Sequence, residues 1–73
     1  MWKLRCVNGS EVTDEKAVKF TNIIGRNEVR SFLAQNGMAM TDLQEEAVFN
    51  MERGTKLEYY FPNNIKYIEI ECR

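Results

Sequence analysis

Thr13-Asp14-Glu15-Lys16-Ala17-Val18-Lys19-Phe20-Thr21-Asn22-Ile23-Ile24-Gly25 is the stretch on which the fold turns. Read one way, it is a helix. Thr13 can accept a hydrogen bond from a first-turn N–H, and the acids behind it favour the positive end of the helix dipole. Gly25 tolerates the left-handed conformation that closes a helix. Ala17, Phe20, Ile23 and Ile24 then fall at helical spacing on one side. Read the other way, Val18-Lys19-Phe20-Thr21 is good strand material. Cap, pattern and glycine agree, so a helix is the preferred reading and a strand over 17–24 its alternative.

Downstream, the same signals repeat. Asn27-Glu28-Val29-Arg30 opens a second helix that runs to Gly37, with Val29, Phe32 and Leu33 as its apolar stripe. Thr41-Asp42-Leu43-Gln44 opens a third that runs to Gly54, and Thr41 with Gln44 fits a capping box. Leu43, Ala47, Val48 and Met51 form its predicted apolar stripe. Residues 41–53 also carry Asp42, Glu45, Glu46 and Glu52 against Arg53 alone, so the other side of this helix is acidic.

Both ends read as strands. Trp2-Lys3-Leu4-Arg5-Cys6-Val7 alternates apolar and basic residues before the turn signal Asn8-Gly9. Residues 55–61 and 65–72 flank Pro62-Asn63-Asn64 as a hairpin. An even loop, such as a two-residue turn at Asn63-Asn64, sorts Leu57, Tyr59, Phe61, Ile68, Ile70 and Cys72 onto one face. Lys56, Glu58, Tyr60, Tyr67, Glu69 and Glu71 take the other. Placed beside the last strand, the first aligns Lys3 and Arg5 with Glu69 and Glu71 on that outer face. The expected fold class is therefore α+β. It is a small two-layer domain of order β-α-α-α-β-β, with a three-stranded antiparallel sheet covered on one face by helices. With 17–24 as a strand, the order becomes ββααββ.

The length of 73 residues predicts a single domain over 1–73 with one modest core. Ten basic against 11 acidic residues give a net charge of -1, which provides no global attraction to nucleic acid or to an anionic membrane. Lys3 and Arg5 interrupt the apolar start, so it does not read as a secretory signal, and no run reaches membrane-spanning length. With no such signal, Cys6 and Cys72 read as reduced, buried thiols in a cytoplasmic protein. In an antiparallel pair of strands they lie too far apart to bond.

The chain has no histidine, the commonest general base and metal ligand. Ser10, Ser31 and the cysteines lack the usual activating partner. Asp42 and Glu46 lie one helical turn apart, yet no loop supplies the further oxygens that a hard cation needs. The expectation is a chain without enzyme activity, cofactor or metal.

The order helix, turn, helix, hairpin resembles that of winged-helix DNA binders, an analogy of fold alone. It would make the third helix the reading helix, but Asp42, Glu45, Glu46 and Glu52 repel phosphate, which argues against duplex DNA. Two surfaces are left for a partner. One is the outer sheet face with Tyr60, Tyr67, Lys56 and Glu58. The other is the acidic helix with Asp42, Glu45 and Glu46, suited to a basic protein surface. Tyrosine adds contact area and a hydroxyl at low entropic cost. A small protein-binding module of regulator or inhibitor type is the expected function. The alternative is a single-stranded nucleic-acid binder using the open sheet face, where aromatic residues stack on bases.

Overall fold

The alternation in Trp2-Lys3-Leu4-Arg5-Cys6 has a single satisfactory use, a strand with one buried face. In the computed structural model, which describes residues 1–19, 23–63 and 65–73, strand β1 (Trp2–Asn8) lies at the centre of the sheet. It pairs with the C-terminal strand β4 (Lys66–Cys72), and Trp2, Leu4 and Cys6 stand opposite Cys72, Ile70 and Ile68. All six of these side chains are buried. The remaining elements are β2 (Glu11–Val18), α1 (Ile23–Gln35), α2 (Asp42–Phe49) and β3 (Lys56–Tyr60). The antiparallel sheet has strand order β2-β1-β4-β3, so β2 and β3 are its edges.

The α+β class holds, and the three-stranded sheet does not. The helix expected over 13–24 does not form over 13–18, and Ile23 and Ile24 belong to α1. Residues 11–18 are a fourth strand instead. The element order is that of the ββααββ alternative, but its second strand lies earlier than 17–24. The physical reason is tertiary. The Asn8-Gly9 turn, with Gly9 at φ 64, folds this segment back along β1. There Val18 packs beside Trp2 and is buried. Asp14 and Lys16 share that inner face at the rim of the sheet. Asp14 accepts a hydrogen bond from the Asn36 side chain at 3.0 Å, and Lys16 meets Glu28 at 4.0 Å. Local cap signals were outweighed by the ladder with β1. Phe20, part of the predicted stripe, lies outside the described residues, and Ala17, Ile23 and Ile24 are exposed.

The second predicted helix exists but starts earlier. Gly25 sits buried inside α1 and does not close a helix, and Asn27 is an interior residue whose side chain accepts from Arg30 at 3.3 Å. Its far end is as read. Gly37 adopts φ 80, the Met38 N–H reaches the Leu33 carbonyl at 2.8 Å, and the Gly37 N–H reaches the Ala34 carbonyl at 3.1 Å. These two bonds satisfy carbonyls that the helix end would leave bare. Val29, Phe32 and Leu33 are buried as the stripe predicts.

In α2 the capping box is present on both sides. Gln44 N–H donates to the Thr41 hydroxyl at 3.2 Å, and Thr41 N–H donates to the Gln44 side chain at 2.9 Å. The helix stops at Phe49, short of Gly54, because Asn50 caps it through both its N–H and its side chain, each bonded to the Glu46 carbonyl. Its stripe is narrower than expected. Val48 is buried, whereas Leu43 is 79% exposed and Ala47 is also on the surface. Met51, beyond the helix, is buried against the core. Trp2 ties this layer to the sheet, since its indole N–H donates to the Val48 carbonyl at 3.3 Å and its ring meets Phe49 edge-on at 5.4 Å.

The hairpin faces sort as read. Tyr60 stands opposite Tyr67 and Leu57 opposite Ile70, and the Phe61 N–H bonds the Lys66 carbonyl at 2.8 Å. The connection between β3 and β4 spans residues 61–65, and the expected Asn63-Asn64 turn falls partly on Asn64, outside the described residues. Cys6 and Cys72 are free and buried. Cys72 pairs with Trp2, four residues along β1 from Cys6, which separates the two by about 13 Å of strand. That is beyond the reach of a disulfide.

The capping box gives a direct prediction. Thr41→Ala should lower stability by about 1 kcal/mol in urea melts. Leu43→Ala, removing a side chain that is largely exposed, should change it by less than about 0.5 kcal/mol. A Thr41→Ala midpoint equal to wild type, or a large loss at Leu43, would contradict this account of α2.

Candidate functional site

The face of the sheet away from the helices is built from cross-strand rows, one residue from each strand. Val12, Val7, Tyr67 and Tyr60 form the first row, through the register pairs Val7–Val12, Val7–Tyr67 and Tyr60–Tyr67. Glu15, Arg5, Glu69 and Glu58 form the second, and Ala17, Lys3, Glu71 and Lys56 the third. One end of the face is thus apolar and aromatic, and the rest is charged.

The apolar row depends on a bulge. Cys6 pairs with Asp14, but Val7 pairs with Val12, leaving Thr13 as the extra residue on β2. The Thr13 hydroxyl donates to the Cys6 carbonyl at 3.2 Å. Without the extra residue, Val12 would point to the helix face, because side chains alternate along a strand. The bulge turns it outward beside Val7. Val12 is 48% exposed and Tyr60 53%, while Val7 is buried beneath its neighbours. The Tyr60 and Tyr67 rings lie 5.0 Å apart and tilted by 36°, within the range in which aromatic pairs attract.

In the charged rows, cations and carboxylates largely consume one another. Arg5 sits between Glu69 at 3.0 Å and Glu15 at 3.6 Å, and Lys56 lies 3.6 Å from Glu69. Lys3 also pairs with Glu15. The hydrogen bond from Lys3 holds the Glu15 carboxyl below its usual range, with help from the nearby charges and against the pull of desolvation. Glu69 is only 7% exposed and depends on its two cations. Glu58 stands directly opposite Glu69, a like-charge pair, and makes no ion pair among the described residues. Its charge holds the Tyr60 phenol above its ordinary value, with desolvation and Tyr67 adding to the effect.

The structure therefore brings together Tyr60, Tyr67, Lys56 and Glu58. Asp42, Glu45 and Glu46 lie on α2, in the other layer. Glu45 is occupied there. Arg30 grips both its oxygens, at 2.7 and 3.2 Å, which lowers the Glu45 carboxyl pKa. Asp42 and Glu46 remain exposed. Lys66 lies over the Phe61 ring at 4.6 Å and does not join the tyrosines. A groove of about 220 Å³ between α1 and the segment ahead of α2 is lined by Leu33, Ala34, Met38 and Met40, with Arg30 and Glu45 at its polar side. Those two charges pair with each other, so neither charged side chain of the lining is left without a partner.

Val7, Val12, Arg5 and Glu69 belong to the outer face as much as the tyrosines do. Lys3, Arg5 and Glu69 were legible from strand alternation. Val12 was not, because Thr13 carries the same signal for a helix cap as for a bulge. Among the described residues no three His, Cys, Asp or Glu side chains group as metal ligands, and no helix is long and apolar enough to cross a membrane. No protein-family model matches the chain, and neither a curated protein nor a solved structure matches it.

The Tyr60–Glu58 pair is open to titration. A negative neighbour disfavours phenolate, so Glu58→Gln should shift the Tyr60 titration downward in ultraviolet absorbance. Tyr60→Phe assigns the signal. A titration that does not move in Glu58→Gln would show that Glu58 is not the cause.

Proposed function

We propose that the chain is a small, non-catalytic, cytoplasmic protein-binding module of regulator or inhibitor type. Its partner docks on the outer sheet face, over Val12, Val7, Tyr67 and Tyr60. The observation that carries this reading is the apolar row itself. The Thr13 bulge adds Val12 to it, and Ile65, two residues before Tyr67 in the chain, is 58% exposed. An aromatic and aliphatic strip rimmed by charges, most of them paired, has the anatomy of a protein interface, with an apolar centre and a polar border. Tyr60 is the anchor, exposed yet already ordered against Tyr67, so little side-chain entropy is lost on binding.

Single-stranded nucleic acid is less well served by the same surface. Stacking needs an accessible ring face and nearby cations. Tyr60 and Tyr67 turn toward each other, and Arg5, Lys3 and Lys56 are taken by Glu15 and Glu69. The acidic side of α2 offers Asp42 and Glu46 to a basic partner, but it has lost Glu45 to Arg30.

The test is an affinity capture with nuclease treatment, paired with anisotropy titrations of labelled single-stranded DNA and RNA at low salt. The expected result is a nuclease-resistant protein partner that is lost in Tyr60→Ala/Tyr67→Ala while the variant stays folded. Micromolar strand binding that vanishes in the same variant would replace this reading with the nucleic-acid one. Loss of the partner only on reversing Asp42 and Glu46 would move the interface to α2.

A further inference from the structure

We infer that the chain self-associates through its β3 edge, pairing β3 with β3 of a second copy around a two-fold axis at Leu57. The two sheets then run together as one. The inference concerns the sheet edge and holds whether or not the outer face binds another protein.

The two edges of the sheet differ in kind. Along β2, the Thr13 bulge breaks the line of the strand, and Asp14 and Lys16 place charges on its inner face, tied to Asn36 and Glu28 of α1. Bulges and inward-pointing charges are the usual means by which an edge is kept from pairing. β3 has neither. Its register with β4 runs unbroken from Lys56 to Tyr60, and its inner-face residues, Leu57 and Tyr59, are apolar or aromatic and only half-buried.

The direction of its backbone groups follows from the hydrogen bonds at its two ends. Phe61 N–H bonds the Lys66 carbonyl at 2.8 Å, and Cys72 N–H bonds the Thr55 carbonyl at 2.9 Å. Hydrogen-bonded positions alternate in an antiparallel ladder, so residues 55, 57, 59 and 61 face β4. Lys56, Glu58 and Tyr60 therefore turn their N–H and C=O groups toward the open edge, and they find no backbone partner among the described residues.

Charge then selects the occupant and the register. Only registers that join open positions to open positions keep side chains on matching faces. A two-fold axis at Glu58 sets Glu58 against its own copy, which is repulsive. An axis at Tyr59 sets Glu58 against Tyr60 and Lys56 against Pro62, so neither charge meets an opposite one. An axis at Leu57 sets Lys56 of each chain opposite Glu58 of the other, twice. It brings Glu58 within reach of Lys56 of the second copy, an exposed side chain that would then be shared with its own Glu69, and it places Leu57 against Leu57 over the half-buried inner face. Because the axis is perpendicular to the sheet, both Tyr60–Tyr67 pairs come to lie on the same side.

Sedimentation equilibrium of the wild-type chain, Lys56→Glu, Glu58→Lys and an equimolar mixture of the two variants tests this, with circular dichroism as the check on folding. The expected result is a wild-type dimer that weakens as salt is raised. Each single reversal sets like charges together and should be monomeric. The mixture restores opposite charges at both positions and should return the dimer as a heterodimer. A monomeric wild type at millimolar concentration would overturn the inference, as would dimers surviving in both reversals or a mixture that stays monomeric. Lys56→Glu removes one cation from Glu69, so its folding is less assured. If it unfolds, Glu58→Lys, which leaves the Lys56–Glu69 pair in place, decides alone, and a persistent dimer in that variant is the overturning result.

Discussion

The pairing of β1 with β4 is the constraint from which the rest of this molecule follows. It joins the two ends of the chain, with Trp2 opposite Cys72 and the Arg73 N–H on the Met1 carbonyl at 2.8 Å. The hairpins β1–β2 and β3–β4 are local, and an isolated hairpin is marginal in water. Their union closes almost the whole chain into a loop, at an entropic cost of about 4 kcal/mol. Full burial of Leu4, Ile68 and Ile70 contributes about 1.5–3 kcal/mol each, enough to offset that closure. A slip of one residue would send these side chains to solvent and bring Arg5 and Glu69 under the helices, so the register is strongly determined.

This constraint explains which parts of the fold are legible in the sequence. β1, β3 and β4 announce themselves by alternation, because each has one buried and one open face. The ends of helices are legible where a local motif settles them, at Gly37 and at the Thr41–Gln44 box. β2 is not legible, because it is an edge strand with a single buried side chain, Val18. Its partners are chosen by β1 and α1, and its composition reports neither. Thr13-Asp14-Glu15 is a sound cap sequence that happens to be used as a bulge. Leu43 misleads for a related reason: an eight-residue helix buries little more than Val48, and helical spacing cannot say which side a short helix turns to the core.

The outer face was partly legible on the same grounds. Strand parity places Tyr60, Tyr67, Glu58 and Lys56 together once the hairpin loop is even. Parity also places Arg5 near Glu69. What it cannot give is burial. Glu69 lies in the middle of an uncovered face and is nonetheless nearly inaccessible, with Arg5 and Lys56 both closing on its carboxylate. Nor can parity foresee Val12, whose side is reversed by a single inserted residue.

Glu69 links the architecture of the face to its use. A carboxylate with two cations is stable there, but it leaves Glu58, directly opposite, without one. Like charges facing across a ladder destabilise a sheet by a fraction of a kcal/mol. The ladder tolerates this because the β1–β4 core holds the register regardless of what β3 contributes. Cation demand is therefore met at the centre and left unmet at the edge, beside Tyr60. The carboxylates at the centre of the sheet find cations, and the one on this face without an ion pair among the described residues, Glu58, stands on the strand whose backbone is still open to a neighbour.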